Sequence, residues 1–283
     1  MCNSCGCSVS HADEHVIRGD GKLTAEGHLA VNVFSNLLAA NDRQAEHNRE
    51  HLDQHGVLAI NLMSSPGAGK TALLEATIQA LKEEYALAVI EGDLETENDA
   101  ERIRRHGIPA IQIVTGTACH LDAHLIHDAL HHLDLAQTDI LFIENVGNLV
   151  CPASFDLGHH RNVILLSVTE GDDKPAKYPV MFRAADVMLL TKMDLLPMMD
   201  DFYPQRAESN LRQLAKTIPV ISLSAKIATG MEVWLNWLRQ EVVAHKARVQ
   251  RGQTICPTMV TESSRLHTVA VQQHHSQVHH HHH

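Results

Sequence analysis

The stretch "VLAINLMSSPGAGKTALLEATIQAL", residues 57–81, decides the fold. An apolar run too short for a helix is followed by a loop of small residues and then by a helical pattern. Within the loop, Gly69, Lys70 and Thr71 match a phosphate-binding loop, with Ser64 standing where that pattern has its first glycine. Small residues let successive backbone N–H groups, here of Ser65, Gly67, Ala68 and Gly69, curl around phosphate oxygens. The helix that follows, opening on Lys70, Thr71 and Ala72, offers its N-terminus to the same anion. Lys70 would neutralise the outer phosphates and the Thr71 hydroxyl would bind Mg²⁺.

Working outward, the same rhythm repeats. Six further short apolar runs, "ALAVIEGD", "AIQIV", "ILFIENV", "NVILLSV", "DVMLLTK" and "PVISLSA", alternate with helical patterns. Continuous rather than alternating apolar runs are the mark of strands buried on both faces, so the pattern predicts an α/β fold: a mostly parallel sheet with helices on both sides. Before it, a helical pattern over 24–55 carries an apolar stripe through Leu29, Val33 and Leu37, and Gly56 stops it. After it, the last helix is expected over 230–248, with Val233, Trp234, Trp237 and Leu238 inward. The expected organisation is an N-terminal arm (1–22), a helical segment (23–56), a nucleotide-hydrolysing domain (57–249) and a tail (250–283) that ends in five histidines, His279 to His283, of the purification-tag kind.

Bulk composition narrows the function. A formal charge of −11 argues against broad nucleic-acid binding through a basic surface. No apolar run approaches a membrane span and the first residues lack the apolar core of a signal peptide, so the expectation is a cytoplasmic protein with reduced thiols.

Two strand ends address the base. "TKMD" supplies Lys192, whose stem would lie along a base, and Asp194, whose carboxylate could accept from both guanine N1–H and the exocyclic amino group. "SAK" supplies Ser224, Ala225 and Lys226, with the Ala225 N–H in reach of the guanine carbonyl. Together they point to GTP and GDP, although Thr191 stands where such sites carry Asn, which suggests modest guanine affinity. Two other strand ends carry acids: Asp93, a Mg²⁺ partner directly or through water, and Glu144, in the place of a metal-proximal acid. Gly147 is placed to sense the γ-phosphate. Its next neighbour is Asn148 rather than a water-positioning glutamine, so hydrolysis should be slow.

Thiols form a second theme. Cys151 lies four residues beyond Gly147, and Cys119 and His120 follow another strand end. Strand ends of a parallel sheet share one rim, so these three could converge near the nucleotide. Two thiolates and an imidazole suit Zn²⁺ or Ni²⁺ but leave a tetrahedral site one ligand short, to be completed by water or by a second subunit. At the start of the chain, "MCNSCGC" places Cys2, Cys5 and Cys7 together. Alone it reads as half a zinc knuckle or a redox pair, but no fitting second cysteine pair follows. Three thiolates with the terminal amine nearby suit nickel instead.

The series "SSPGAGKT", "EGD", "TGTACHLDAH", "ENVGNLVCP" and "TEGDDKPAKYP" resembles the HypB family, GTPases that help insert nickel into [NiFe]-hydrogenase. The likeness covers about residues 57–245, and "MCNSCGC" extends it to the N-terminus. It implies slow GTP hydrolysis, a GTP-favoured homodimer and a metal site at Cys119, His120 and Cys151. It also implies a tighter nickel site on Cys2, Cys5 and Cys7, a HypA-type nickel metallochaperone as partner and the hydrogenase large subunit precursor as recipient. The sequence departs from the family at Thr191 and in "DLGHH", where an acid was expected at His159. Two other readings are a nickel or zinc storage protein with nucleotide in a structural role, and an accessory GTPase for another metalloenzyme such as urease.

Histidines recur at helical spacing: His47, His51 and His55 on one helix, His120, His124, His127 and His131 on another. Such stripes are expected to be solvated polar faces more often than ligands, His120 excepted because of Cys119, with His124 ranked next.

Overall fold

The structure is a computed structural model that describes residues 27–93, 98–116, 118–215 and 217–257, with the side chains of 27–36 and 98 left aside. Cys2, Cys5, Cys7 and the terminal histidines lie outside the described residues.

The chain runs α1 (Gly27–His55), β1 (Leu58–Ser64), α2 (Lys70–Leu81), β2 (Leu87–Asp93), α3 (Asn98–Arg104), β3 (Ala110–Val114), α4 (Ala123–Leu130) and β4 (Ile140–Glu144). It continues through β5 (Arg161–Ser167), two short helices α5 (Lys174–Lys177) and α6 (Pro179–Arg183), β6 (Val187–Thr191), α7 (Pro204–Leu214), β7 (Val220–Ser222) and α8 (Met231–Val249). All seven apolar runs are strands of one sheet, ordered β3-β2-β4-β1-β5-β6-β7 and parallel throughout. The reason is burial: every residue of β1 and β4 is buried, so both faces of the centre are mostly apolar. One face packs on α2 and α8 through Leu74, Ile78, Trp234 and Leu238. On the other face lie Leu52 of α1, Ile126 and Leu130 of α4, and, further along, Phe182 and Leu211.

Two helices differ from expectation. In α8, Trp234 is buried and donates from Nε1 to Thr77 Oγ1 at 3.0 Å, and Trp237 is half-buried and stacks on it. Val233, expected inward, is 58% exposed. In α1, the side chains of Leu29 and Val33 lie outside the described residues, Leu37 is 39% exposed, and the buried face is partly polar: Asn41, Ala45, Asn48, Arg49 and Leu52. Each buried polar group there has a partner, as burial demands. Asn41 Nδ2 donates to the Asp156 carbonyl, Asn48 Nδ2 to the Ala123 and Leu157 carbonyls, and Arg49 Nη2 to both Asp156 oxygens at 2.7 and 2.6 Å. α1 is thereby fastened to the segment that follows β4. Among the described residues no helix is long and apolar enough to cross a membrane.

Candidate functional site

The C-terminal ends of β1, β2, β4 and β6 gather the predicted nucleotide residues on one rim. Gly67 and Gly69 sit at φ of 74° and 98°, conformations that L side chains resist, and they turn the loop into α2. Lys70 is buried with Nζ 3.1 Å from Ser64 Oγ and 4.0 Å from Glu144 Oε1. Ser64 therefore replaces the usual glycine without blocking the loop, and its hydroxyl holds the lysine. Thr71 Oγ1 donates to Glu144 Oε1 at 3.1 Å. Gly147 lies against the loop from the other side: a Cβ there would stand 2.9 Å from Pro66 Cα. Asp93 ends β2, and its carbonyl accepts from the Thr115 N–H at 2.9 Å.

Sequence reasoning missed Glu91. It pairs in register with Glu144 across β2 and β4 and is buried. Burial, then the Glu144 charge beside it, pushes its carboxyl up to about 10. Burial also pushes Glu144 up, against the pull of Lys70 and Thr71. Glu91 Oε1 and Glu144 Oε2 have no hydrogen-bond partner, and two buried carboxyls at one register position favour holding a proton between them over ionising both. Two acids at equal depth in apolar strands were the available signal. Glu170, also overlooked, accepts from Ser65 Oγ and from the Ser167 N–H. The Thr71 hydroxyl and the Glu144 carboxylate lie side by side at the phosphate loop, and the unpartnered Glu144 Oε2 is an oxygen that a hard cation such as Mg²⁺ would satisfy.

Beside the loop lies a cavity of about 250 Å³, lined by Ala68, Gly69, Ala72, Lys192, Asp194, Leu195, Leu223, Ser224, Ala225 and Lys226, among others. Its apolar floor and single acid suit a planar base with donors on one edge. Asp194 Oδ1 accepts from Ser224 Oγ at 2.6 Å, which fixes the carboxylate. Lys192, held at φ 56°, donates from Nζ to the Gly67 carbonyl at 2.6 Å. Thr191, standing where Asn was expected, donates from its hydroxyl to the Ala68 carbonyl of the phosphate loop at 2.7 Å.

Cys119, His120 and Cys151 converge, one ligand atom from each lying within 4.8 Å of the others. Asn145 Oδ1 accepts from the Leu121 N–H at 3.3 Å, and Asn148 Nδ2 donates to the Cys119 carbonyl at 3.4 Å. These amides tie the two cysteine-bearing segments together. Phe155 stacks on His120 with ring centroids 3.9 Å apart. Burial lowers the His120 pKa, which favours the neutral imidazole a metal needs. Burial, then the Cys119 sulfur, pushes the Cys151 thiol up. Two sulfurs and a nitrogen fit a borderline ion such as Ni²⁺ or Zn²⁺. His124 belongs to no converging ligand group among the described residues.

A parallel sheet whose central strand feeds a glycine-rich loop, with Lys70 and Thr71 facing strand-end acids, defines a P-loop nucleotide-binding protein. Residues 58–222 match the family described as CobW/HypB/UreG, nucleotide-binding domain. Hydrogenase maturation factor HypB of Escherichia coli K12 is 50% identical over 236 residues, which span 82% of this chain and 81% of that one. Two crystal structures are similar at 40% identity. HypB of Helicobacter pylori in complex with nickel has a TM-score of 0.70 and shares 73% of this chain and 96% of its own. HypB of Archaeoglobus fulgidus has a TM-score of 0.68, over 72% and 100%. The chain belongs to the HypB branch of this family.

Proposed function

We propose that this chain is a GTP-hydrolysing nickel metallochaperone of hydrogenase maturation, with nickel as its cargo. One observation carries the coupling of nucleotide to metal: Gly147 packs on Pro66 of the phosphate loop, and Cys151 follows four residues later in the same segment. A γ-phosphate held by Lys70 and by the N–H groups of residues 65–71 reaches the Gly147 N–H and orders that segment. Its loss on hydrolysis frees the segment and moves Cys151 relative to Cys119 and His120. Mg²⁺, when bound, would neutralise charge developing on the phosphates; Thr71, Glu144 and Asp93, the last directly or through water, are the residues that would hold it. Asp194 and the Ala225 N–H select guanine. No side chain equivalent to a water-positioning glutamine follows Gly147, so turnover is slow.

The name and nickel complex of the relatives support the cargo and the pathway. Val150, 59% exposed beside Cys151, and a ligand set one short of four support a homodimer formed in the GTP state. A HypA-type metallochaperone and the hydrogenase large subunit precursor are the proposed partners, the cytoplasm is the proposed location, and Cys2, Cys5 and Cys7 are a second nickel station. Zn²⁺ is the competing ion at Cys119, His120 and Cys151. Residues 57–249 form the proposed GTPase domain, preceded by the metal-binding arm and the helical segment.

The test measures Ni²⁺ affinity and dimerisation with GDP and with a non-hydrolysable GTP analogue, and hydrolysis of GTP against ATP. GTP preference with nucleotide-dependent nickel affinity is expected. Identical affinity and identical oligomeric state in both nucleotides would sink the coupling. Lys70→Ala should abolish hydrogenase maturation in cells, whereas a storage role predicts that it survives.

A further inference from the structure

Two groups of imidazoles lie outside the sites described above, and hydrogen bonding sorts them. The first is compact: ligand atoms of Asp53, His160 and His245 lie within 4.8 Å of one another. Yet the Ala59 N–H donates to His160 Nδ1 at 2.9 Å. That nitrogen must carry the lone pair, so Nε2 carries the proton and donates it to Asp53 Oδ1 at 3.1 Å. The nitrogen facing the cluster has no lone pair to give a metal. This group fastens α8 to α1.

The second group joins the two helical histidine stripes. α1 and α4 pack together, and His47 faces His127 with ring centroids 5.3 Å apart, while His51 faces His131 at 6.3 Å. Here the tautomer is the opposite one. Asn48 is fully buried, and its Nδ2 donates to the Ala123 and Leu157 carbonyls at 2.7 and 3.2 Å. Its amide cannot be flipped without losing both bonds, so Oδ1 is the atom presented to His127 Nδ1, 3.1 Å away. An amide oxygen only accepts. His127 Nδ1 therefore carries the proton and Nε2 carries a free lone pair, the arrangement by which a buried partner prepares a histidine for metal. His127 Nε2 lies 3.2 Å from His131 Nε2. Two imidazole nitrogens on one tetrahedral ion, each about 2.0–2.1 Å from it, stand about 3.3 Å apart.

We propose that His127 and His131, whose Nε2 atoms already stand at ligand spacing, bind one borderline divalent transition-metal ion, and that His47 and His51, whose ligand atoms do not yet converge with that pair, turn their rings to complete it and bridge α1 and α4. All four ligands are imidazoles, a set that suits Ni²⁺, Cu²⁺ or Zn²⁺. The site needs neither nucleotide nor thiols and stands apart from the function proposed above. Binding requires one proton movement: His131, which is exposed, passes its proton from Nε2 to Nδ1 through water, and a neutral ring enters the complex with no net proton released.

The experiment uses the full chain, equilibrated with Zn²⁺ alone and with Ni²⁺ alone, and counts bound metal per chain. The parent is compared with His127→Ala/His131→Ala and with His132→Ala, an exposed neighbour outside the group. All three carry the same terminal histidines and cysteines, so those contributions cancel in the difference. The double variant should lose one ion per chain and most of the metal-induced rise in the thermal unfolding midpoint, because metal at this site ties α1 to α4. His132→Ala should keep both. Equal stoichiometry and an equal midpoint shift in a folded double variant overturn the proposal. If the double variant does not fold, His47→Ala/His51→Ala on the outer turns of α1 decides: the same loss upholds the site, and undiminished binding overturns it.

Discussion

Acidification from pH 7 to pH 5 should destabilise this protein well before its carboxylates protonate. His159 and His245 are each at most 2% exposed, and burial pushes both imidazoles down to about 4, from 6.5 in an unfolded chain. At His159, Asp156 pulls the other way and Arg49 reinforces burial; at His245, His160 reinforces burial and Asp53 opposes it. The sign follows from proton counting. Between pH 6.5 and 4 the unfolded chain binds protons that the folded chain refuses, so stability falls as pH falls through that window. For one such histidine the loss between pH 7 and pH 5 works out at about 2 kcal/mol, so the pair loses about 4, a large part of a typical domain's stability. Urea unfolding followed by the fluorescence of Trp234 and Trp237, both on α8 with His245, reads this directly. His245→Gln, which cannot titrate, should remove about half of the pH slope at the cost of a lower plateau at pH 7. A stability that stays flat between pH 7 and 5, or a Gln variant that keeps the whole slope, refutes the reasoning.

Thr191→Val keeps the side-chain shape but deletes the hydroxyl bond to the Ala68 carbonyl. A net hydrogen bond of about 0.5–1.5 kcal/mol predicts GDP and GTP binding weakened about two- to thirteenfold, measured by fluorescent-nucleotide titration. Unaltered binding would show that the loop needs no buttress. Arg49→Leu strands the Asp156 carboxylate, both groups being 5% exposed in the native pair. Loss of one partner of such a buried pair should cost about 3–5 kcal/mol in urea denaturation, and adding Asp156→Asn should recover part of it.

How much could be read in advance depended on where each signal resides. The strands were legible because a central parallel strand has no solvent face, so "ILFIE" at 140–144 cannot be mistaken for a surface pattern. The phosphate loop was legible because its chemistry is local, within Ser64 to Thr71. Glu91 was hidden for the converse reason. It lies inside an apolar run, and only the register with Glu144 shows that two carboxyls meet there. The polar inner face of α1 beyond Leu37 was not foreseen, because Asn41, Asn48 and Arg49 are buried by hydrogen bonds to partners more than seventy residues away. The histidines show the limit most clearly. Spacing along one helix told which imidazoles share a face, and it favoured a solvated one. Whether a ring can hold metal turned on which nitrogen keeps its proton, and that was set by Asn48 for His127 and by the Ala59 N–H for His160. Neither partner lies on the histidine's own element. A tautomer is thus a tertiary property, and a histidine pattern becomes chemistry only once its distant hydrogen-bond partner is known.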